Sequence, residues 1–498
     1  MAELPYDCLL FDIGGTLVAA ADPATPVADL QPVLLPRVDG DLRRLAGEFR
    51  LGAMTNTAVM TEADVRVHLD AVGIDGLLEV VVTSVDVGAH KPDPRGLAVA
   101  MRRIGSAPER TLYIGDLPTD RDAARRAGCD FAYIDGTLGE TVDAALRRAG
   151  RPFFRAARAI APPDAAALRA ARDRHDRLAK PPGSLGVVEA VGVQLAGIAG
   201  ACPPPDPFPA AVAVFAADHG VAAAGVTMWP QELTGVVAGV VARGRAGINA
   251  IAGSVGAEVH VIDVGTVAGV PVPGVRMEPV RAGTADLSAG PAMCDDDVLA
   301  ALDVGVAVAG DLVDGGARCL VTGEVGIGNT TAAAAVVAAL TGKRGVDVAG
   351  RGAGADDATL ARKVAAIDAG LVRVGAPAGP LRVLAEVGGL EIAAIAGFVV
   401  GAASRRVPVV VDGAIACAAL LAAGDLAPDV LPYVIAGHRS AEPAGGIVLD
   451  RLGLVPLLDL GMRLGEGTGA CLALPTVRAA ARVLADMATL DELGAPAG

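Results

Sequence analysis

Aromatic residues and paired cysteines are scarce in this chain of 498 residues. It contains 1 Trp, 4 Tyr and 8 Phe. The 7 cysteines are scattered singly, without a C-x-x-C pair or a Cys/His cluster, which argues against a structural zinc site and a disulfide framework. Basic residues are also outnumbered, since 42 Lys and Arg face 57 Asp and Glu, a net charge of −15. This balance argues against nucleic acid or an anionic membrane as the main partner.

The chain also lacks a convincing targeting or membrane segment. Its first residues, MAELPYDCLLFD, include acidic side chains and no basic stretch, so we expect no signal peptide and a cytoplasmic location. The most apolar run, VGGLEIAAIAGFVVGAAS at 387–404, is barely long enough to span a bilayer and carries Glu391 near its start. We expect a buried helix there, not a membrane span.

Glycine and alanine are abundant instead, which suits closely packed α/β layers. Residues 1–150 alternate apolar strands, such as DCLLFDI, LGAMTN and TLYIGD, with helical runs. After a linker at 151–159 the same alternation continues over 160–498. It predicts two domains, each built on a doubly wound parallel sheet. In such sheets the active groups lie at the carboxyl ends of strands.

Four motifs in the first domain each place a polar side chain at or just after a strand end. They are LFDIGGTL, MTN, HKPDP and IGDLPTD. In this order they resemble the motifs of the haloacid dehalogenase superfamily, over about residues 5 to 140. The resemblance implies a Rossmannoid domain that acts on phosphate esters, with Mg²⁺ as the cofactor. The gap between Asp12 and Thr55 leaves no room for a full cap domain, so we expect the domain to be capless.

The same resemblance assigns site residues to this domain. Asp12 would attack phosphorus and form an aspartyl-phosphate. Thr55 and Lys91 would hold the phosphate oxygens. Mg²⁺ prefers hard oxygen ligands, and the implied metal ligands are Asp12, the backbone carbonyl of Gly14, Asp116 and Asp120.

Gly14 departs from the phosphatase pattern, because those enzymes carry a second aspartate there as general acid and base. A backbone carbonyl remains for the metal, but proton transfer to the leaving group, typically worth ~10²–10⁴-fold in rate, is lost. Three interpretations stay open: a phosphatase for an activated or self-assisting substrate, a degenerate structural or regulatory domain, or other chemistry such as dehalogenation.

The second domain carries a longer series of motifs. They include LAKPPGSLG, AADHGVAAAGVTMWPQELT, GTADLSAGPAM, GEVGIGNTT, AGHRSAEP and DLGMRLGEGTGACLAL. Together they resemble the nicotinate-nucleotide–dimethylbenzimidazole phosphoribosyltransferases, from about residue 160 to 490. The resemblance implies a Rossmann-like domain with helical additions, no cofactor and a homodimer. It also implies two small-molecule substrates, nicotinate mononucleotide and a benzimidazole base.

The motif GEVGIGNTT, residues 323–331, combines an anion-binding loop with an acid. Its backbone N–H groups lie at a predicted helix N-terminus and suit a phosphate. Glu324 stands at the loop's entrance, where a carboxylate can stabilise the positive charge that develops on the reacting sugar. We expect the loop to bind the nucleotide through Gly326, Gly328, Asn329 and Thr330.

By resemblance, Glu466 in RLGEGTGA is the catalytic base. It would take the N–H proton of the benzimidazole while the other ring nitrogen attacks, and burial that raises its pKa would suit this task. Glu324 would be the second important carboxylate, either orienting the substrate or assisting through its charge. The positions that match the family's phosphate contacts are Gly326, Lys363, Ser440 and Gly465.

The resemblance also assigns residues to the pocket for the benzimidazole base. Pro230 and Gln231 match the family's Pro-Gln pair, with Thr227 and Trp229 just before it. The indole is larger than the aromatic usual at that place, so the preferred base stays open. Asp218 follows a strand, as a site residue would.

Three hypotheses for the whole chain follow. The first is a fusion enzyme whose second domain makes α-ribazole 5′-phosphate in cobalamin lower-loop synthesis, and whose first domain removes that product's phosphate. The second is a transferase with a non-catalytic first domain for interaction or regulation. The third is a nucleotide-binding protein without catalysis.

Overall fold

The computed structural model describes residues 5–20, 30–270, 272–375 and 378–493. The chain divides into two compact units, Met1–Arg151 and Pro152–Gly498. Each unit has its own parallel sheet, so the expected fold class of two doubly wound α/β domains is confirmed.

The first unit is a five-stranded sheet of order β3-β2-β1-β4-β5, with every pair parallel. Its strands are β1 Cys8–Phe11, β2 Arg50–Thr55, β3 Val80–Thr83, β4 Thr111–Gly115 and β5 Asp130–Tyr133. Its helices are α1 Val38–Leu45, α2 Glu62–Ala71, α3 Ser84–Val87, α4 Arg95–Ile104, α5 Pro118–Ala127 and α6 Leu138–Ala149. Short 3-10 helices lie at Asp75–Leu77 and Pro108–Arg110.

Helix α4 shows why the sequence folds locally as it does. Leu97, Ala100, Met101 and Ile104 recur at helical spacing and are all buried. The helix ends at Gly105, whose positive φ of 75° is the left-handed conformation that glycine adopts without steric cost. Between β1 and β2 the described residues form only α1 and isolated bridges, in keeping with a capless domain.

The second unit is a six-stranded parallel sheet of order β11-β10-β9-β6-β7-β8. Its strands are β6 Ala210–Ala217, β7 Glu258–Gly265, β8 Val275–Met277, β9 Cys319–Val325, β10 Val409–Val411 and β11 Val434–Ala436. The sequence did not predict β8, because three residues carry too little periodicity. Short 3-10 helices lie at Gly220–Ala224 and Pro428–Tyr433.

Helices cover this sheet. They are α7 Pro152–Arg158, α8 Ala165–Arg177, α9 Val187–Ala199, α10 Leu233–Ala242, α11 Gly247–Val255, α12 Asp295–Asp314, α13 Asn329–Thr341, α14 Gly345–Val348, α15 Asp357–Val374, α16 Pro380–Val387, α17 Leu390–Ser404, α18 Ala414–Leu426, α19 Pro443–Leu452 and α20 Thr468–Asp486. The segment expected as a linker, 151–159, contains α7. Phe153 of that helix is fully buried in the core of the second unit, because its ring packs among apolar helices there.

The order of the strands in each sheet predicts where a ligand binds. In the first sheet the chain runs outward from β1 to β3 and returns on the other side through β4 and β5. In the second it runs from β6 to β8 and returns through β9 to β11. The crevices between β1 and β4 and between β6 and β9 are therefore topological switch points, where ligands of doubly wound folds bind.

The apolar run at 387–404 is the core helix α17, as expected. Every residue from 390 to 403 is buried. Among the described residues, no helix combines the length and apolarity needed to cross a bilayer. All seven cysteines are unpaired, as the sequence predicted.

Helices α12 and α17 approach each other through two glycines. A Cβ on Gly305 would collide with the carbonyl oxygen of Ala394, and a Cβ on Gly397 would collide with that of Leu302. Backbone cannot rotate away as a side chain does, so this contact admits no larger residue.

We predict that G397A destabilises the second unit by roughly 1–3 kcal/mol through overpacking. The matched control is G253A in α11, where an added Cβ meets nothing within 4 Å. That change should be neutral or stabilise by about 0.4–1 kcal/mol. Thermal unfolding followed by circular dichroism measures both, and an equal response of the two variants would contradict the close packing of α12 against α17.

Candidate active sites

Lys91 is the centre of the polar network in the first unit. Its Nζ lies 2.8 Å from Asp12 Oδ1, 2.5 Å from Asp120 Oδ1 and 2.9 Å from the Tyr113 hydroxyl. The lysine side chain is 3% exposed, so burial of its charge requires these partners. Asn56, which the sequence analysis missed, fixes the lysine backbone, because its Oδ1 accepts the Lys91 N–H at 2.9 Å.

The three expected acidic metal ligands lie together. One oxygen from each of Asp12, Asp116 and Asp120 falls within 4.8 Å of the other two. Asp116 Oδ1 is buried without a hydrogen-bond partner among the described residues. A Cβ on Gly15 would collide with the Asp116 carboxylate, so the glycine leaves room for that side chain.

Burial disfavours the charged form of two of these carboxylates, those of Asp12 and Asp116. Burial raises the pKa of Asp12, and the neighbouring Lys91 opposes that rise. Burial likewise raises the pKa of Asp116. A hard cation would offset this cost, and the oxygen donor set fits Mg²⁺. Asp120 is already engaged, since its Oδ2 accepts the Leu117 N–H at 3.0 Å.

The remaining expected residues of the first unit lie at the same edge of the sheet. Thr55 ends β2 and is 7% exposed. Gly14 lies in the turn after β1, and a Cβ built on it meets nothing within 4 Å. The glycine is therefore not required by packing, and an aspartate side chain has space there.

Glu466 is presented by an unusual turn in the second unit. It has φ of 60° between Gly465 at 85° and Gly467 at 90°, directly before α20. A non-glycine residue in this left-handed region typically costs on the order of 1–3 kcal/mol, and such strain concentrates at functional sites. The carboxylate is 9% exposed and accepts the Ile248 N–H of α11 at 3.1 Å. Burial raises the pKa of Glu466, opposed by this hydrogen bond, and Asp412 raises it further.

Glu324 lies against the same turn. Its carboxyl group fills the space beside Gly465, where any Cβ would collide with Glu324 Oε1. Burial, followed by the charges of Glu391 and Asp412, raises the pKa of Glu324 to about 8. Glu324 also accepts a short hydrogen bond from the Asn329 amide. The two glutamates that the sequence analysis singled out thus face one region.

The glycine-rich loop after β9 has the form of an anion cradle. Gly328, with φ of 94°, begins helix α13, whose dipole favours an anion at its N-terminus. The Ile327 N–H donates to Thr234 Oγ1 at 3.0 Å and so fixes the loop to α10. Gly326 is required by close approach, since a Cβ there would lie 2.8 Å from the Ala217 carbonyl oxygen.

Lys363 lies beside this glycine-rich loop. Its Nζ donates to Thr330 Oγ1 at 2.8 Å and to the Gly350 carbonyl at 3.0 Å, and the residue is 2% exposed. These bonds use two of the three ammonium protons. Burial lowers the pKa of Lys363, and Glu442 opposes that shift.

Ser440 joins the same region through Glu442. Ser440 Oγ accepts the Glu442 N–H at 3.2 Å, and Glu442 Oε1 accepts the Gly352 N–H at 2.8 Å. A glycine at 350 is required, because a Cβ there would collide with the Glu442 carboxylate. The structure therefore brings the expected phosphate contacts Lys363 and Ser440 near one another.

The expected base-pocket residues lie in the loop before α10. Thr227 Oγ1 accepts the Trp229 N–H at 3.2 Å. The indole of Trp229 is 50% exposed, and Gln231 is only partly covered. Thr234, near the start of α10, hydrogen-bonds to the glycine-rich loop, so the segment before α10 lies close to that loop. The side chain of Trp229 nevertheless remains half exposed.

Asp218 and His219 follow β6 at the switch point. Asp218 Oδ2 accepts the Val267 N–H at 2.8 Å, while its Oδ1 is buried without a partner among the described residues. His219 Nε2 lies 2.8 Å from Glu391 Oε1, and both side chains are fully buried. Asp218 therefore borders the site, and His219 belongs to a buried pair behind it.

Sequence reasoning missed Asp412, Glu391 and Glu442. Asp412 follows β10, so the rule that site residues follow strands applies to it as well as to Asp218. Glu391 is the one charged residue of the apolar α17, and a buried charge signals a buried partner. No comparable signal marks Glu442, which precedes the proline that starts α19.

Comparison with known families covers both units. A family model described as phosphoribosyltransferase matches residues 160–494. A second model, described as haloacid dehalogenase-like hydrolase, matches residues 34–134.

Individual relatives match the second unit over nearly their full length. The chain is 51% identical over 354 residues to the nicotinate-nucleotide–dimethylbenzimidazole phosphoribosyltransferase of Salinispora tropica, covering 68% of this chain and 97% of the relative. It is 51% identical over 337 residues to the enzyme of that name from Chloroflexus aggregans, covering 67% and 95%. The crystal structure of CobT from Thermus thermophilus aligns with a TM-score of 0.65 at 45% identity, covering 67% of this chain and 100% of that one. The chain therefore belongs to the nicotinate-nucleotide–dimethylbenzimidazole phosphoribosyltransferase family, with a haloacid dehalogenase-like segment ahead of the family's domain.

Proposed function

We propose that the second unit transfers the phosphoribosyl group of nicotinate mononucleotide to 5,6-dimethylbenzimidazole or a related base. The products are α-ribazole 5′-phosphate and nicotinate. The observation that carries this proposal is the meeting of Glu466, Glu324 and the glycine-rich loop at the switch point of a chain 51% identical to a transferase of that name.

The proposed reaction is a displacement at the anomeric carbon. A ring nitrogen of the base forms a bond to that carbon as the bond to the nicotinate nitrogen breaks, and the bonding pair neutralises the pyridinium. Glu466 takes the proton from the other ring nitrogen, so no positive charge is left on the new product. The cradle of Gly326, Gly328, Asn329 and Thr330 holds the phosphate, with Lys363 and Ser440 beside it.

Glu324 supports this chemistry as a neutral group in the free enzyme. Because its pKa is raised to about 8, the carboxyl is mostly protonated at pH 7. A protonated carboxyl donates a hydrogen bond, so we propose that Glu324 orients the substrate. From the sequence, Glu324 could either orient the substrate or assist the reaction through its charge. The raised pKa favours orientation of the substrate.

For the first unit we propose hydrolysis of a phosphomonoester, with the transferase product as the candidate substrate. Asp12 would be the nucleophile, and Lys91 and Thr55 would be phosphate ligands. Asp12, the Gly14 carbonyl, Asp116 and Asp120 would hold Mg²⁺, and Asp120 also pairs with Lys91. When bound, Mg²⁺ would offset the charge of the phosphate oxygens. The alternative is a transferase with a catalytically degenerate first unit, which the glycine at 14 favours.

The quaternary and cellular settings are proposals as well. We propose a homodimer, supported by apolar side chains left exposed on the second unit, such as Met228 at 63% and Val236 at 55%. The seven unpaired cysteines support a reducing, cytoplasmic location. The acidic composition argues against nucleic acid as a partner and is compatible with small-molecule substrates. We propose domains at 1–150 and 160–498, with α7 in the segment between them packed on the second unit.

Replacing Glu466 with Gln removes the proposed base while keeping its size. We predict that kcat for transfer falls by ~10²–10⁴-fold, while nicotinate mononucleotide still binds in isothermal titration calorimetry. The control is E258Q, because that side chain is 78% exposed at the opposite end of the sheet. Transfer by E466Q at the wild-type rate would rule out Glu466 as the base.

Replacing Glu324 with Gln tests its protonation. The pKa of Glu324 is raised from 4.5 to about 8 in the folded chain, so the folded state binds the proton more tightly. The wild type therefore loses stability from this group as pH rises from about 4.5 to about 8, and E324Q does not. We predict that the melting temperature of E324Q relative to wild type increases between pH 5 and pH 8 and then levels off. A difference that is constant with pH would contradict a raised pKa.

Replacing Gly14 with Asp restores the missing general acid, since the side chain has space. We predict that the wild type releases phosphate slowly from α-ribazole 5′-phosphate with Mg²⁺, that D12N releases none, and that G14D is about 10²-fold faster than wild type. The matched control is G76D, which adds the same side chain where a Cβ also meets nothing within 4 Å. Release by G14D alone would favour the degenerate interpretation, and release by neither would remove the phosphatase proposal.

A further inference from the structure

Asp412 lies directly behind the turn that presents Glu466. The residue follows β10 and is 2% exposed. Its Oδ2 accepts the Gly467 N–H at 3.2 Å, and its Oδ1 accepts the Ala470 N–H at 2.9 Å. N–H groups at the start of a helix have no acceptor within the helix, and a carboxylate there also complements the dipole. The strained turn is therefore tied to β10.

The same carboxylate also reaches the phosphate side of the site. Asp412 Oδ1 lies 3.2 Å from His438 Nε2, two residues before Ser440. The following glycine, Gly413, lies against Ser440, since a Cβ on it would be 3.6 Å from Ser440 Oγ. Gly469 leaves space for the His438 ring, with which any Cβ would collide. One aspartate thus contacts segments on both sides of the site.

The charge of Asp412 acts on both candidate catalytic glutamates. It raises the pKa of Glu466 and that of Glu324. Glu391 from α17 and Glu466 itself also raise the pKa of Glu324, and the Asn329 amide lowers it. The Ile248 N–H of α11 lowers the pKa of Glu466. Within the described part of the chain, Asp412 is the one neighbour whose charge raises the pKa of both glutamates.

We propose that Asp412 is a positioning residue for the transfer reaction, which holds the Glu466 turn at a fixed place relative to the phosphate cradle. This inference rests on the proposed function. The backbone strain at Glu466 needs such a restraint, because a left-handed glutamate between two glycines would otherwise relax. Glu466 itself forms one described hydrogen bond, to Ile248, so the turn depends on its neighbours for its position.

Two variants separate the geometric role of Asp412 from its charge. D412N removes the charge and turns an amide N–H group toward a backbone donor. D412E keeps the charge but displaces the oxygens. We predict that kcat falls by about 10²-fold in both, as for a misplacement of about 1 Å, with little change in KM for nicotinate mononucleotide. Only D412N should shift the acidic limb of the pH profile, and the shift is to lower pH, because loss of the negative charge lowers the pKa of Glu466.

The control is D450N, which removes an exposed charge from α19 near Arg439 and should leave kcat and the pH profile unchanged. Melting temperatures and calorimetric binding of nicotinate mononucleotide report whether each variant is folded. If D412N does not fold, D412E still tests the inference, because a reduced kcat with an unshifted pH profile supports the positioning role of Asp412. Wild-type kcat in D412E, or a reduced kcat in D412N without a pH shift, would overturn the inference. A wild type without transfer would overturn the proposed function and the inference with it. An E466Q variant as fast as wild type would leave the transfer activity standing, but would remove Glu466 as the base and overturn the inference.

Discussion

Burial of like charges is the constraint on which the candidate site of the second unit depends. Glu324, Glu391, Asp412 and Glu466 are each no more than 9% exposed. The charges of Glu391, Asp412 and Glu466 raise the pKa of Glu324, and that of Asp412 also raises the pKa of Glu466. An uncompensated buried carboxylate is costly, so each must be protonated, paired or hydrogen-bonded. Burial raises the pKa of Glu324 to about 8, which favours its protonated form, Glu391 pairs with His219, and Asp412 accepts two N–H groups from the start of α20. Among the described residues, Glu466 accepts a single hydrogen bond, which comes from the Ile248 N–H.

The surrounding fold provides this arrangement through close backbone approach. Glycines at 323, 465 and 467 leave space for the Glu466 turn and for Glu324, where a Cβ would collide. The parallel sheet directs β6, β9 and β10 to one edge, so residues far apart in sequence end side by side. The abundance of glycine in the chain thus has a local structural reason at the site. In the first unit the same principle holds at Gly15, which leaves space for Asp116.

Much of the fold could be predicted from the sequence, because buried strands such as CLLF and AAVAVFAA are short apolar runs separated by helical periods. The prediction was weakest where periodicity is absent: β8 has three residues, and α7 lies where a linker was expected. Glu324 was found because it interrupts a glycine-rich motif, and Glu466 because its motif resembles that of the family. Asp412 and the pairing of His219 with Glu391 depend on contacts between distant segments, about which spacing along the chain says nothing.

The central claim is that Glu466 removes a proton from the attacking base at the switch point of the second sheet. A crystal structure of the chain with 5,6-dimethylbenzimidazole and nicotinate bound tests it most directly. The account predicts that a ring nitrogen of the base lies within about 3 Å of a Glu466 carboxylate oxygen, with nicotinate on the side of the glycine-rich loop. A base bound away from Glu466, with that carboxylate still bonded to Ile248 alone, would contradict the account.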